Sequence, residues 1–184
     1  MDRIAAALDA VSLFLREKTI PCMVIGGLAN MIWGKARMTE DIDLTIWLPD
    51  RDITDLADSL RDAGFAIIPP DPVSFANQTS VLPVKAPNGI KIDLILAALP
   101  LERTAIDRAV QARFGHLDVP VCTAEDLIIL KAVSTRIKDV EDIQGIIERM
   151  AGKLDRAYLL PILRELASML ERNDLLELCR RLET

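Results

Sequence analysis

The segment Asp41-Ile42-Asp43-Leu44-Thr45-Ile46-Trp47-Leu48 sets the strongest constraint on what this chain can fold into. Successive side chains of a strand point to opposite faces. From Ile42 onward, Ile42, Leu44 and Ile46 therefore share an apolar face, while Asp43, Thr45 and Trp47 share the other. Asp41 and Asp43, at i and i+2, point the same way. A second segment repeats the device: Ile90, Ile92, Leu94 and Leu96 form one face, and Asp93 sits mid-strand on the opposite one. A lone carboxylate among such residues is costly to bury. A metal would relieve it, as would an ion pair to Lys91, Lys85 or Arg37. Taken alone, Asp41-Ile42-Asp43 also reads as a solvated strand edge with alternating charges.

Upstream, Cys22-Met23-Val24-Ile25 is a short apolar run stopped by Gly26-Gly27, and residues 28–33 read as a helical turn or two. Two glycines let a backbone approach a ligand closely, and exposed N–H groups at a helix start favour an anion such as phosphate. The same pair also serves as an ordinary tight turn.

The remaining chain supplies the frame. Ile4, Leu8, Val11 and Leu15 recur at helical spacing, which reads as an amphipathic helix over about residues 2–17 and not as a signal peptide. Asp52 to Ala63 is a second amphipathic helix. Pro69-Pro70-Asp71-Pro72 reads as a turn or loop, and Ser80 to Lys85 as a strand that Pro83 marks as an edge. Asn88-Gly89 is a hairpin turn signal, and Gly115-His116 separates two further short strands. From Thr123-Ala124-Glu125-Asp126, a capping-box-like start, the pattern is helical to the end. The expected class is α/β (α+β), a mixed sheet flanked by helices over residues 1–122 with a helical subdomain over 123–184.

Composition narrows the function. A net charge of -6 and 4% aromatics argue against a protein whose main task is coating nucleic acid. Cys22, Cys122 and Cys179 follow no metal-ligand spacing and read as reduced thiols, which fits a cytoplasmic protein. No apolar run approaches the ~20 residues of a membrane span.

Taken together, Ile25-Gly26-Gly27, thirteen intervening residues, Asp41-Ile42-Asp43-Leu44 and the later Ile92-Asp93-Leu94 resemble the nucleotidyltransferase superfamily of DNA polymerase beta type. The resemblance implies a two-metal nucleotidyl transfer. Asp41 and Asp43 would hold the Mg2+ (or Mn2+) bound to the triphosphate, Asp93 would join them at the second metal, and Gly26-Gly27 would contact the phosphates. Within the superfamily the chain looks most like the AbiEii type of bacterial abortive-infection and toxin–antitoxin systems. The resembling stretches are Gly26-Gly27-Leu28-Ala29, Gly34 and Arg37 ahead of Thr39-Glu40-Asp41, and Lys131…Arg136-Ile137-Lys138-Asp139…Asp142. In that family the later Lys and Asp belong to the active site, so Lys131 would bind phosphate and Asp139 would act near the acceptor or its metal. Arg37 and Thr39 join the expected nucleotide contacts.

On one continuous helix, Lys131 and Asp142 lie eleven residues apart and share a face. The alternative for Lys131, Arg136, Lys138, Asp139 and Glu141 is a solvated helix surface laced with ion pairs.

The expected activity is transfer of a nucleoside monophosphate from an NTP to a hydroxyl on RNA, protein or a small molecule. The resemblance implies a cognate antitoxin or toxin protein as partner. Two other functions compete: a catalytically silent interaction module or nucleotide sensor, and an antibiotic adenylyltransferase.

Overall fold

The computed structural model describes residues 2–36, 38–49, 52–134 and 136–183, with Asp2 described through its backbone alone. It divides into two compact units. Met1–Ala29 and Met38–Cys122 form the first, and Asn30–Arg37 joins Thr123–Thr184 in the second.

The first unit is built on a seven-stranded mixed sheet. Its strands are β1 (Cys22–Val24), β2 (Asp41–Trp47), β3 (Ala66–Ile67), β4 (Val81–Lys85), β5 (Lys91–Ala97), β6 (Val110–Phe114) and β7 (Leu117–Val121), in the order β3-β4-β5-β2-β1-β7-β6. β2 lies at the centre, antiparallel to β1 and parallel to β5. The alternating pattern explains the placement: Ile42, Leu44 and Ile46 of β2 and Ile92 and Leu94 of β5 are fully buried. Helix α1 (Asp2–Glu17) contributes Ala7, Leu8, Val11, Phe14 and Leu15 to the core. Helix α3 (Ile53–Asp62) buries Leu56, Ala57 and Leu60, and its N-cap Asp52 accepts the Thr54 N–H at 2.8 Å.

Two local features differ from expectation. The Pro69–Pro72 stretch leads into helix α4 (Pro72–Thr79), because Asp71 caps its start by accepting the Ser74 N–H at 3.0 Å and Pro72 occupies the first turn, where no N–H is needed. Pro83 lies inside the sheet and not at its edge. Its carbonyl accepts from the Ile68 N–H at 3.1 Å, one step past the last β3–β4 pair, Ile67 with Val84. The imide nitrogen faces the same neighbour, so the ladder ends where its donor is missing.

The second unit is helical: α6 (Ala124–Ala132), α7 (Ile137–Arg149), α8 (Arg156–Met169) and α9 (Asn173–Glu183), together with residues 30–33 of α2 (Gly26–Trp33). Helix α6 starts at Thr123, whose Oγ1 accepts the Asp126 N–H at 3.1 Å, and is buried on nearly every side. Leu159, Leu163, Ala167, Leu175, Cys179 and Leu182 form the core shared by α8 and α9. Among the described residues, no helix is long and apolar enough to cross a membrane.

Candidate active site

The parallel pairing of β2 with β5 sets Asp41 opposite Lys91 and Asp43 opposite Asp93. Because the offset along each strand is two residues, all four side chains project from one face of the sheet. Carboxylate oxygens of Asp41, Asp43 and Asp93 come within 4.8 Å of one another, the one such acidic grouping among the described residues. All three are partly buried.

Two neighbours shape this cluster. The Thr39 hydroxyl approaches Asp41 Oδ1 at 2.9 Å and the Asp41 carbonyl at 3.1 Å. Lys91 Nζ donates to Asp93 Oδ2 at 2.6 Å. That hydrogen bond raises the Lys91 pKa against a smaller opposing effect of burial, and the charges of Asp93, Asp41 and Asp43 add to the rise. Of the partners the sequence offered Asp93, the structure brings Lys91 to it. Asp93 Oδ1 is buried and has no hydrogen-bond partner among the described residues. Buried acceptors are normally satisfied, so an orphaned carboxylate oxygen beside two further acids fits a hard cation with oxygen ligands.

Gly26 and Gly27 stand at the start of α2, each for a separate reason. Gly26 has φ +63°, and a Cβ there would lie 1.9 Å from Asp43 Oδ2. A Cβ on Gly27 would lie 2.6 Å from the Thr39 hydroxyl. The pair lets a helix N-terminus, with its unsatisfied N–H groups, begin against the acidic cluster. Arg37 lies outside the described residues.

Lys131 and Asp139 form a second cluster, within the helical unit. Helix α6 ends at Ala132 and α7 begins at Ile137, so Lys131 on α6 meets Asp139 and Asp142 on α7 across two helices and not along one. Lys131 Nζ donates to Asp139 Oδ1 at 3.0 Å and to Asp142 Oδ2 at 2.6 Å. Arg136 Nε completes the set at 2.6 Å from Asp139 Oδ2. The solvated-surface alternative fails for the central groups: Lys131 is 7% exposed, Asp139 1% and Asp142 7%, whereas Arg136, Lys138 and Glu141 are exposed. Burial pushes the Asp139 carboxyl up, but hydrogen bonds from Lys131, Ser134 and Arg136 outweigh it and hold the group below its usual range.

Asn30 is a member of this cluster that the sequence reading passed over. It is fully buried, and its Nδ2 donates to Asp142 Oδ1 and to the Lys35 carbonyl, each at 3.0 Å. The available signal was an amide inside the otherwise apolar run Leu28-Ala29-Asn30-Met31-Ile32. His116 sits exposed at the β6–β7 turn, and burial pushes the Cys22 thiol up to about 11, which disfavours the nucleophilic thiolate there.

A family model described as "Nucleotidyltransferase of unknown function (DUF6036)" matches residues 3–181. No curated protein matches the chain in sequence. Among solved structures, the antibiotic-resistance factor ANT(2'')-Ia is 14% identical with a TM-score of 0.57, covering 96% of each chain. An antigenic nucleotidyltransferase-like protein from Paracoccidioides brasiliensis is 17% identical with a TM-score of 0.53, over 97% of this chain and 91% of that one. The lincosamide antibiotic adenylyltransferase LnuA, with lincomycin bound, is 14% identical with a TM-score of 0.51, over 79% of this chain and 94% of its own. At these identities the likeness is one of fold.

Proposed function

We propose that this chain, which belongs to the nucleotidyltransferase family DUF6036, is a metal-dependent enzyme that moves a nucleoside monophosphate from an NTP to an acceptor hydroxyl. The observation that carries the reading is the convergence of Asp41, Asp43 and Asp93 at the glycine-led start of α2, with one Asp93 oxygen buried and unpartnered among the described residues.

In the transfer, the acceptor hydroxyl loses its proton to solvent and its oxygen bonds to the α-phosphorus, the bond from that phosphorus to the oxygen bridging toward the β-phosphate breaks, and pyrophosphate leaves with the electron pair. Divalent ions, Mg2+ or Mn2+, supply charge neutralisation on the triphosphate and acidify the attacking hydroxyl when bound. Asp41 and Asp43 would hold the nucleotide-associated ion, and the Thr39 hydroxyl, hydrogen-bonded to Asp41 Oδ1, would fix the orientation of that carboxylate. Asp93 serves the acceptor side together with them. The N–H groups that open α2 at Gly26-Gly27 hydrogen-bond phosphate oxygens.

Lys131, Asp139, Arg37 and Thr39 complete the set by the sequence resemblance. By that resemblance Lys131 binds phosphate. Asp139 acts toward the acceptor. The acceptor is RNA, a protein or a small molecule. The AbiEii-like stretches favour a toxin of a bacterial defence or toxin–antitoxin system with a cognate protein partner. Three free cysteines suit a reducing cytoplasm.

The test is pyrophosphate release from each of the four NTPs with Mg2+ and a cell extract as acceptor source. The reading expects metal-dependent release from at least one NTP. Absence of release from all four, with Mg2+ or Mn2+, overturns it.

A further inference from the structure

We propose that Lys91 is a built-in counter-cation of the carboxylate site, holding Asp93 until a nucleotide-bound metal displaces it, so that the site disfavours a divalent ion arriving alone. The inference rests on the metal-site reading above.

The geometry supports it in three ways. Lys91 stands opposite Asp41 and Asp93 opposite Asp43 in one parallel register, so the four side chains occupy the corners of a small square on one face of the sheet. The Lys91 ammonium is bonded to Asp93 Oδ2 at 2.6 Å, while a carboxylate oxygen of Asp93 lies within 4.8 Å of ligand oxygens from Asp41 and Asp43. A cation bound to the free Asp93 Oδ1 and to oxygens of Asp41 and Asp43 is held by the same carboxylate whose other oxygen carries the ammonium, so the two positive charges are neighbours. Finally, the Lys91 side chain is 47% exposed and Asp93 18%, so Lys91 reaches in from the solvent rim and has room to withdraw.

The consequence follows from charge. Three carboxylates and one ammonium leave about two net negative charges, against about three without Lys91, so the ammonium weakens the pull on an arriving ion. A bare ion entering the cluster repels the ammonium and offers it no new partner. A metal carried by a triphosphate brings several anionic oxygens to which Lys91 can transfer. Lys91 thereby couples metal binding to nucleotide binding, and it sets the specificity of the site for the loaded nucleotide over the free ion.

Mn2+ binding measured by electron paramagnetic resonance tests this, with and without an α,β-methylene NTP, on the wild type, Lys91→Met, Lys91→Arg and Asp43→Asn. Thermal melts confirm that each variant folds. Without nucleotide, Lys91→Met should bind Mn2+ about tenfold more tightly than the wild type, and Lys91→Arg close to the wild type. With the analogue present, the difference between Lys91→Met and the wild type should shrink to about twofold. If the wild type binds Mn2+ and Asp43→Asn does not, but Lys91→Met binds equally or more weakly than the wild type, the role of Lys91 is overturned and the metal site stands. If no variant binds Mn2+ under either condition, or Asp43→Asn binds as the wild type does, the metal-site reading itself fails and takes the Lys91 proposal with it.

Discussion

Gly26 begins α2 so close to Asp43 that a Cβ on the glycine would lie 1.9 Å from the Asp43 carboxylate. The backbone there is also left-handed, with φ +63°. Gly26→Ala therefore carries two separable penalties. Strain of about 1–2 kcal/mol should lower the melting temperature by several degrees. Displacement of the Asp43 side chain should weaken Mn2+ binding beyond what a stability loss explains. Calorimetry and a metal titration on the same sample check both, and wild-type values in each would refute the fit.

Thr39 offers a finer test, because its hydroxyl touches both the Asp41 carboxylate and the space a Gly27 side chain would fill. Thr39→Val keeps the shape and removes the hydrogen bond. Metal affinity should fall about tenfold, with Thr39→Ser restoring most of it. Equal affinities in all three proteins would show that the hydroxyl does not orient Asp41.

Asp139 predicts a pH dependence. Its carboxyl is held below the usual carboxylate range, burial being outweighed by hydrogen bonds from Lys131, Ser134 and Arg136. A depressed carboxyl contributes stability that is present above the unfolded pKa and is lost as pH falls through the folded one. Denaturant titrations should show wild type more stable than Asp139→Asn at pH 6, with the gap narrowing below about pH 4. A gap that stays constant down to about pH 2.5 would contradict the assignment.

The legibility of the molecule in its sequence followed physical lines. β2 and β5 were readable because apolar alternation, with charged residues at i and i+2 on the other face, allows one arrangement with a buried apolar face. Their parallel pairing, which sets Asp43 against Asp93, was not, since nothing local specifies which strand lies beside which. Helix α4 was hidden by Pro69-Pro70-Asp71-Pro72, although Asp71-Pro72 is itself an N-cap followed by a first-turn proline. Pro83 misled because the two-residue β3 makes β4 interior while leaving its proline without a needed donor. The Lys131 cluster was foreseen as a group of residues, but its burial was not, because charged spacing alone does not distinguish a solvated face from a satisfied interior one. Asn30 escaped notice because its partners, Lys35 and Asp142, lie five and 112 residues away.

The most direct test of the central claim is a comparison of α-labelled with γ-labelled NTP in the presence of Mg2+ and cell extract, for the wild type and Asp43→Asn. Nucleotidyl transfer leaves the α-phosphate on the acceptor and releases the γ-phosphate within pyrophosphate. The account predicts an acceptor labelled only from the α-position and only by the wild type. Asp43→Asn should melt at the same or a higher temperature without metal, because one of three clustered like charges is removed. Label from the γ-position, or α-label retained by a well-folded Asp43→Asn, would contradict it.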